Sequence, residues 1–504
     1  MSRRPTPWLR LALGLALAAL LLFAGTPGAD ETEPSAEPDA EASDGEAQDA
    51  DAEEDEADAK REPPILDTVY DDERVGREES ERVDSAIGLV KDEALNEYVQ
   101  AIGKRLARHA PRYRFQYTFA VVDQNEPNAF ALPGGYIFVS RGLLALSNSE
   151  DELANVIGHE IAHVAARHAA ARQAVQQAMP GIVRFLSRGS IAGYSRSQEK
   201  EADRLGQGIA GLAGYDPEGM AKFLKHLEFT ERLKLGAGRR PHFLDTHPAA
   251  RQRVAIAAQR ARVIAWQRKP GIASDDADYL RRIEGVVIGT SAAEGIFRGD
   301  RFIHADMGFT IRFPTGWNTQ NAHTAVGALA PDRSAQLVLE HAGPGTDLDK
   351  ALMAFTKKAA NSGLKIKSSE RIKVAGREAL RAYGHASSRF GGVEVLVTFV
   401  THGDQTFRIT GVARDEKDRN RALFVSAARS FRALPPELTK GIKENRLRII
   451  EAQSGDTLAT LSSRSGNQWS INETAVMNDV FATDALSAGQ LIKVAVAQPY
   501  QPDR

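Results

Sequence analysis

Residues 149–163 read SEDELANVIGHEIAH. Ser149 followed three places later by Glu152 is a helix-start signature: the hydroxyl accepts from the third helical amide while the glutamate reaches back. Leu153, Val156, Ile157, Ile161 and Val164 recur at helical spacing, which predicts an amphipathic helix carrying His159 and His163 on one face. Side chains four apart on a helix have Cβ atoms about 5 to 6 Å from each other. Both imidazoles can therefore ligate one tetrahedral zinc ion, and small Ala162 and Ala166 leave room around them. Zinc lowers the pKa of bound water to about 7, and Glu160, next to the first histidine, can take the proton as that water attacks a peptide carbonyl. Two histidines and a glutamate also fall at this spacing by accident on ordinary helices, so a third ligand is needed from elsewhere.

His168 comes five residues after His163 with no intervening glycine, and the pattern stays helical, which makes it a packing residue or a supporting neighbour rather than a ligand. Residues 194–203, YSRSQEKEAD, read as the capped start of another helix. Glu199 and Asp203 share one face while Glu201 points away, so Glu199 can complete a two-histidine, one-glutamate site and Asp203 can support a histidine ligand from behind. Taken alone, that stretch would be a solvated, charged helix start.

HEIAHVAARH, then SRSQEKEAD, preceded by NAFALPGGYIFVSRGLL, resembles the HtpX/CaaX-prenyl-protease family of zinc metallopeptidases (metallopeptidase family 48), and most closely its soluble, periplasmic BepA-like branch. The resemblance covers roughly residues 70 to 265. It implies a mainly helical gluzincin domain binding one zinc per chain through His159, His163 and Glu199, with Glu160 as catalytic acid/base and Asp203 as the aspartate of ExxxD. It also implies that Gly134 to Ser140, with Gly134, Gly135, Tyr136, Ile137 and Phe138, is an edge strand on which an extended substrate pairs. His247-Pro248 with Arg253 matches the family's HPxxxxR. His247 can enter the site as a transition-state donor, occupy the open zinc position as a reversible plug, or simply be a helix-start histidine pinned by Pro248. Arg253 can polarise the carbonyl or tether the loop.

The rest of the chain is read around this domain, taken as 65–268, in a multidomain α+β protein. Amphipathic spacing at Leu95, Val99, Ile102 and Leu106 predicts a helix, and Phe115 to Val122 and Tyr136 to Ser140 predict a small inserted sheet. Residues 282–435 mix β-rich runs with helical patterns near Leu348 to Ala360 and Asp415 to Ser430: an α+β accessory domain, similar to PsbP-like domains. Residues 446–497 suffice for one small module. Gly455-Asp456-Thr457-Leu458, Leu461, Asn478, Leu486 and Gly489 to Lys493 resemble a βααβ LysM module, which implies peptidoglycan binding, although Ala495 stands where a proline usually follows the last strand.

At the N-terminus, Arg3, Arg4 and Arg10 precede an apolar run from Leu11 to Phe23 and small residues to Ala29, which reads as a signal peptide over 1–29 and predicts export to the periplasm. That run is short for a membrane span, which needs about 20 residues. No other stretch approaches one. Residues 30–62 hold sixteen acidic and two basic side chains, so 30–64 reads as a disordered acidic linker. Of 504 residues, 42% are hydrophobic and none is cysteine, which excludes a disordered chain, a thiolate zinc cluster and a thiol nucleophile. The net charge of −3 gives no reason to expect nucleic acid. The expected function is an exported endopeptidase acting on misfolded or unassembled envelope proteins; the alternative is an envelope chaperone or assembly factor with latent proteolysis.

Overall fold

The computed structural model describes residues 69–501 apart from 112–114, 170–193, 234–242, 244–246, 248–249, 360–362, 389–390 and 415–417. The expected signal peptide, all of residues 30–68, Gly236 to Gly238, Thr246 and Pro248 lie outside the described residues. No helix among the described residues is long and apolar enough to cross a membrane.

The motif helix spans Glu150–Ala165 and is buried on every side, with Val156, Ile157 and Ile161 fully enclosed in the largest apolar core. Ser149 caps it as expected, accepting from Glu152 N at 3.2 Å. The reciprocal half differs: the Glu152 carboxylate accepts from Asn148 N, not from Ser149, because it also faces the buried His226 at 3.3 Å. Each acid of the first turn is in fact a tertiary anchor. Glu150 accepts from Tyr98 Oη and from Ile272 and Ala273 N, while Asp151 accepts from Asp216 N and Arg268. Carboxylates at a helix N-terminus are favoured by the dipole, and here three of them also hold the surrounding elements in place.

A second long helix, Arg196–Ala213, begins in a full capping box made by Ser195 and Gln198. It crosses the motif helix where two glycines meet. A Cβ on Gly206 would lie 2.7 Å from His159 N, and one on Gly158 would lie 2.9 Å from Gly206 O. Only backbone fits at that crossing, which brings Glu199 and Asp203 within reach of His159.

Three short strands pack on these helices in the order Thr118–Val122, Tyr136–Ser140, Ala129–Leu132. Tyr136–Ser140 is thus the central strand, parallel to Thr118–Val122 and antiparallel to Ala129–Leu132. The expected edge strand over Gly134 to Ser140 is corrected accordingly. Both of its sides are paired, Ile137 lies in the main core, and Phe138 packs under the helix Val69–Ile87. Gly134 and Gly135 form a tight turn at φ +78° and +100°, and a Cβ on Gly134 would meet Glu73 Cα at 2.6 Å. The strand at the sheet's edge on this side is Ala129–Leu132, which packs against the motif helix.

The accessory unit is α+β, with a seven-stranded antiparallel sheet covered on one face by helix Leu348–Ala359 and on the other by helix Asp418–Ser430 and a smaller sheet. The β-rich runs Phe309 to Phe313, Gln336 to Glu340, Val393 to Thr401 and Gln405 to Val412 fall on four of its strands. The sequence reading missed the long hairpin Leu364–Val374 and Arg377–Ser388, whose first strand is mostly exposed and rich in charge.

The C-terminal unit has strand Lys443–Glu451, helices Leu458–Ser465 and Ile471–Met477, and strand Leu491–Pro499, with the two strands antiparallel. It is fused to the motif domain rather than strung beyond it. Leu447 belongs to the motif domain's core, and Lys443–Glu451 also pairs with Val287–Ile288. Lys493 is fully buried, and its Nζ donates to the carbonyls of Ala145, Leu146 and Ser147 at 2.7, 3.1 and 3.0 Å. Those carbonyls end the short helix Arg141–Leu146 that leads into the motif helix, the place where a cation is favoured. Burial pushes the ammonium down to about 7, and the nearby Glu152 carboxylate opposes that shift. Lys493→Met leaves three buried acceptors unpaired, and at about 1–3 kcal/mol for an unsatisfied buried group it should lower the unfolding free energy by at least about 2 kcal/mol. Denaturant titration checks this; a stability equal to that of the parent chain would show that the ammonium is dispensable.

Candidate metal centre

The side chains of His159, His163, Glu199 and His247 offer ligand atoms that all lie within 4.8 Å of one another, and all four residues are buried. This is the one such group among the described residues. His159 Nε2 lies 3.0 Å from His163 Nε2 and 3.1 Å from His247 Nδ1. Glu199 Oε1 is 2.9 Å from His247 Nδ1 and 3.4 Å from His163 Nε2.

Protonation logic tests whether the donors suit a cation. Asp203 Oδ1 lies 3.1 Å from His159 Nδ1, so that nitrogen carries the proton and Nε2 presents a lone pair. By the same reasoning His247 Nδ1, 2.9 Å from Glu199 Oε1, donates to that carboxylate, while its Nε2 lies 3.5 Å from Glu160 Oε1. Ring nitrogens of three histidines and a carboxylate oxygen thus converge within 4.8 Å of one another. Such a donor set suits a divalent cation, whose binding would displace the His247 Nδ1 proton. Both oxygens of fully enclosed Glu160 have no hydrogen-bond partner. The residues present fit zinc.

The surrounding charges hold the array. Arg253 is 4% exposed and donates through Nε and Nη2 to both Asp203 oxygens at 2.9 and 2.7 Å. Its Nη1 faces Glu199 Oε2 at 2.8 Å and donates to the His247 carbonyl at 3.1 Å. Although burial alone would raise the Asp203 carboxyl, His159 and Arg253 hold it well below the usual range. Burial pushes the Glu160 carboxyl up, against the pull of His247 and His159. The Arg253 guanidinium is thus engaged by the two carboxylates and the His247 carbonyl. Phe243 stacks on the His247 ring at 4.2 Å and fixes it from the other side.

One expectation about the helix needs correction. The motif helix does not continue to His168. It ends at Ala165, Arg167 takes a left-handed φ of +52°, and His168 folds back onto His163. Residues that sequence reasoning passed over are Gly158 and Gly206, which set the helix crossing, and Tyr194, whose ring stacks 3.8 Å from that of His163. A glycine immediately before HExxH was the available signal for the first.

Chemically this is the donor set of a metallopeptidase of the HExxH class. Comparison with known proteins narrows the class: residues 93–193 and 182–261 match the model of Peptidase family M48. The chain carries an M48 metallopeptidase domain. It is 31% identical over 216 residues to the beta-barrel assembly-enhancing protease of Escherichia coli (strain K12), a match covering 38% of this chain and 43% of that protein. It is likewise 31% identical over 172 residues to the mitochondrial metalloendopeptidase OMA1 of Schizosaccharomyces pombe, covering 31% of this chain and 50% of that protein. The chain thus spans half or less of the length of these curated relatives. Among solved structures, cyanobacterial PsbP from Synechocystis is 15% identical, with 29% of this chain and 98% of that chain covered at a TM-score of 0.23, a level of likeness that carries no argument.

A separate cavity of about 680 Å³ lies where the motif domain, accessory unit and C-terminal unit meet. None of the metal-centre residues lines it.

Proposed function

We propose that the chain is an exported zinc-dependent endopeptidase that hydrolyses peptide bonds of misfolded or unassembled envelope proteins, β-barrel proteins among them. The observation that carries the proposal is the convergence of His159, His163 and Glu199 beside an unpartnered, buried Glu160. Zinc held by the first three residues would supply Lewis-acid polarisation of the scissile carbonyl and acidify water. Glu160 takes a proton from water and returns it to the leaving amine. Asp203 keeps His159 in the ligating tautomer, and Arg253 holds Glu199, Asp203 and the His247 backbone in one frame. A substrate backbone pairs along Ala129–Leu132, the sheet-edge strand that abuts the motif helix; Ala131 and Leu132 share with His163 and Tyr194 the wall of a small cavity there. Strand addition reads backbone rather than sequence, which suits unfolded substrates.

His247 supports a resting form of this enzyme. Its Nδ1 stands among the ligand atoms, where a fourth ligand would close the position that hydrolysis needs open. A latent protease is also what the second reading requires, an assembly factor in which proteolysis is minor, and the same histidine is the observation that favours it. The C-terminal unit would fasten the enzyme to peptidoglycan. Because Leu447 and Lys493 are built into the motif domain, glycan binding has to be tested with surface substitutions rather than by removing residues 446–504.

The reading is tested by casein hydrolysis with the purified full chain. Hydrolysis should cease on chelation and return on adding zinc; a chelator-insensitive activity would refute the metal-dependent mechanism.

A further inference from the structure

We infer that His168 and Glu201 form a positioning relay behind His163, fixing the tautomer in which His163 offers Nε2 to the metal. The inference rests on the zinc site proposed above. On an uninterrupted helix a residue five places on lies about 140° around the axis, so His168 would face away from the cluster. The break at Arg167 reverses this. The helix closes with Ala166 N donating to Ala162 O at 2.9 Å, and Arg167 then turns left-handed at φ +52°. That turn is unfavourable for a side chain with a Cβ and is clamped from outside: Arg167 donates to both oxygens of Asp72, at 2.5 and 3.0 Å, and Asp72 is 3% exposed. His168 is thereby returned to His163, with the two Nδ1 atoms 2.9 Å apart and the rings 73° to each other.

The direction of the hydrogen bonds follows from the far end. Glu201 Oε2 lies 3.4 Å from His168 Nε2, and a carboxylate only accepts, so His168 carries its proton on Nε2. Its Nδ1 is then an acceptor. The proton between the two rings must sit on His163 Nδ1, which leaves the His163 Nε2 lone pair facing His159 Nε2 and Glu199 Oε1. Asp203 does the same for His159. One helix, Arg196–Ala213, thus supplies a ligand in Glu199, the support for His159 in Asp203, and the outer end of the His163 relay in Glu201. Glu201, which the sequence pattern turns away from the site, does point away, and reaches it through another histidine. Partners of this kind typically alter metal affinity by about 10- to 100-fold.

The experiment measures zinc affinity of the full chain by chelator competition, the visible spectrum of the cobalt(II)-loaded protein, and thermal unfolding of the metal-free protein. His168→Leu should weaken zinc binding about 10- to 100-fold and perturb the cobalt spectrum. His168→Gln, whose amide oxygen can accept from His163 Nδ1, should recover most of the affinity. Glu201→Ala, on a partly exposed side chain, should weaken zinc at least about threefold with unfolding of the metal-free protein unchanged, and keeps the idea testable if His168→Leu fails to fold. Parent-like zinc affinity in His168→Leu, or in Glu201→Ala where His168→Leu does not fold, would overturn the relay, as would failure of His168→Gln to improve on leucine. A parent chain that binds no zinc at all would instead overturn the metal site itself.

Discussion

Glu160→Gln should reduce casein hydrolysis by about three orders of magnitude, within the range for loss of a positioned acid/base, while zinc content stays at the parent level. The substitution preserves shape and removes only the ability to take and return a proton. Glu160 is fully enclosed and neither oxygen has a hydrogen-bond partner, so the substitution breaks no hydrogen bond and only weakens a 3.5 Å contact with His247 Nε2. An ordinary buried carboxylate in that position would be a fault in the fold; a carboxylate reserved for a passing water explains it. The result also separates the two functional readings. If the Glu160→Gln protein still fully supports envelope integrity in cells lacking the parent, the chain acts chiefly as an assembly factor. If support is lost together with casein hydrolysis, the peptidase reading stands.

His247→Ala should act in the opposite direction and raise hydrolysis of a short peptide about tenfold or more, the change expected when a state that masks nine-tenths or more of the molecules is removed. The argument is geometric. His247 Nδ1 lies 3.1 Å from His159 Nε2 and 2.9 Å from Glu199 Oε1, inside the space a reacting water must use. Its backbone is held by Arg253 and its ring by Phe243, so the plug is secured at two points. Unchanged or lower activity would discard the plug and leave His247 as a transition-state donor or a packing residue.

Local chemistry made much of the centre legible. Helical spacing put His159 and His163 on one face, and the Ser195 cap with the four-residue step from Glu199 to Asp203 oriented the second helix, because caps and periodicity are written within a few residues. The three-dimensional partners were not written there. Strand order in a sheet depends on how chains return to one another, and nothing in Tyr136 to Ser140 marks it as central rather than outermost. The left-handed Arg167 is imposed by Asp72, 95 residues earlier. Lys493 reads as part of a terminal strand, yet its ammonium closes a helix 346 to 348 residues upstream. Glu152 looks like half of a capping box and is diverted by His226, a histidine that no local pattern connects to it.

The central claim is that side chains from two helices bind one divalent cation, and elemental analysis of the full chain purified without added metal tests it most directly. One zinc per chain is expected for the parent, with strong loss in a His163→Ala variant that remains folded. A folded parent chain that contains no zinc and takes up none on titration would contradict the account.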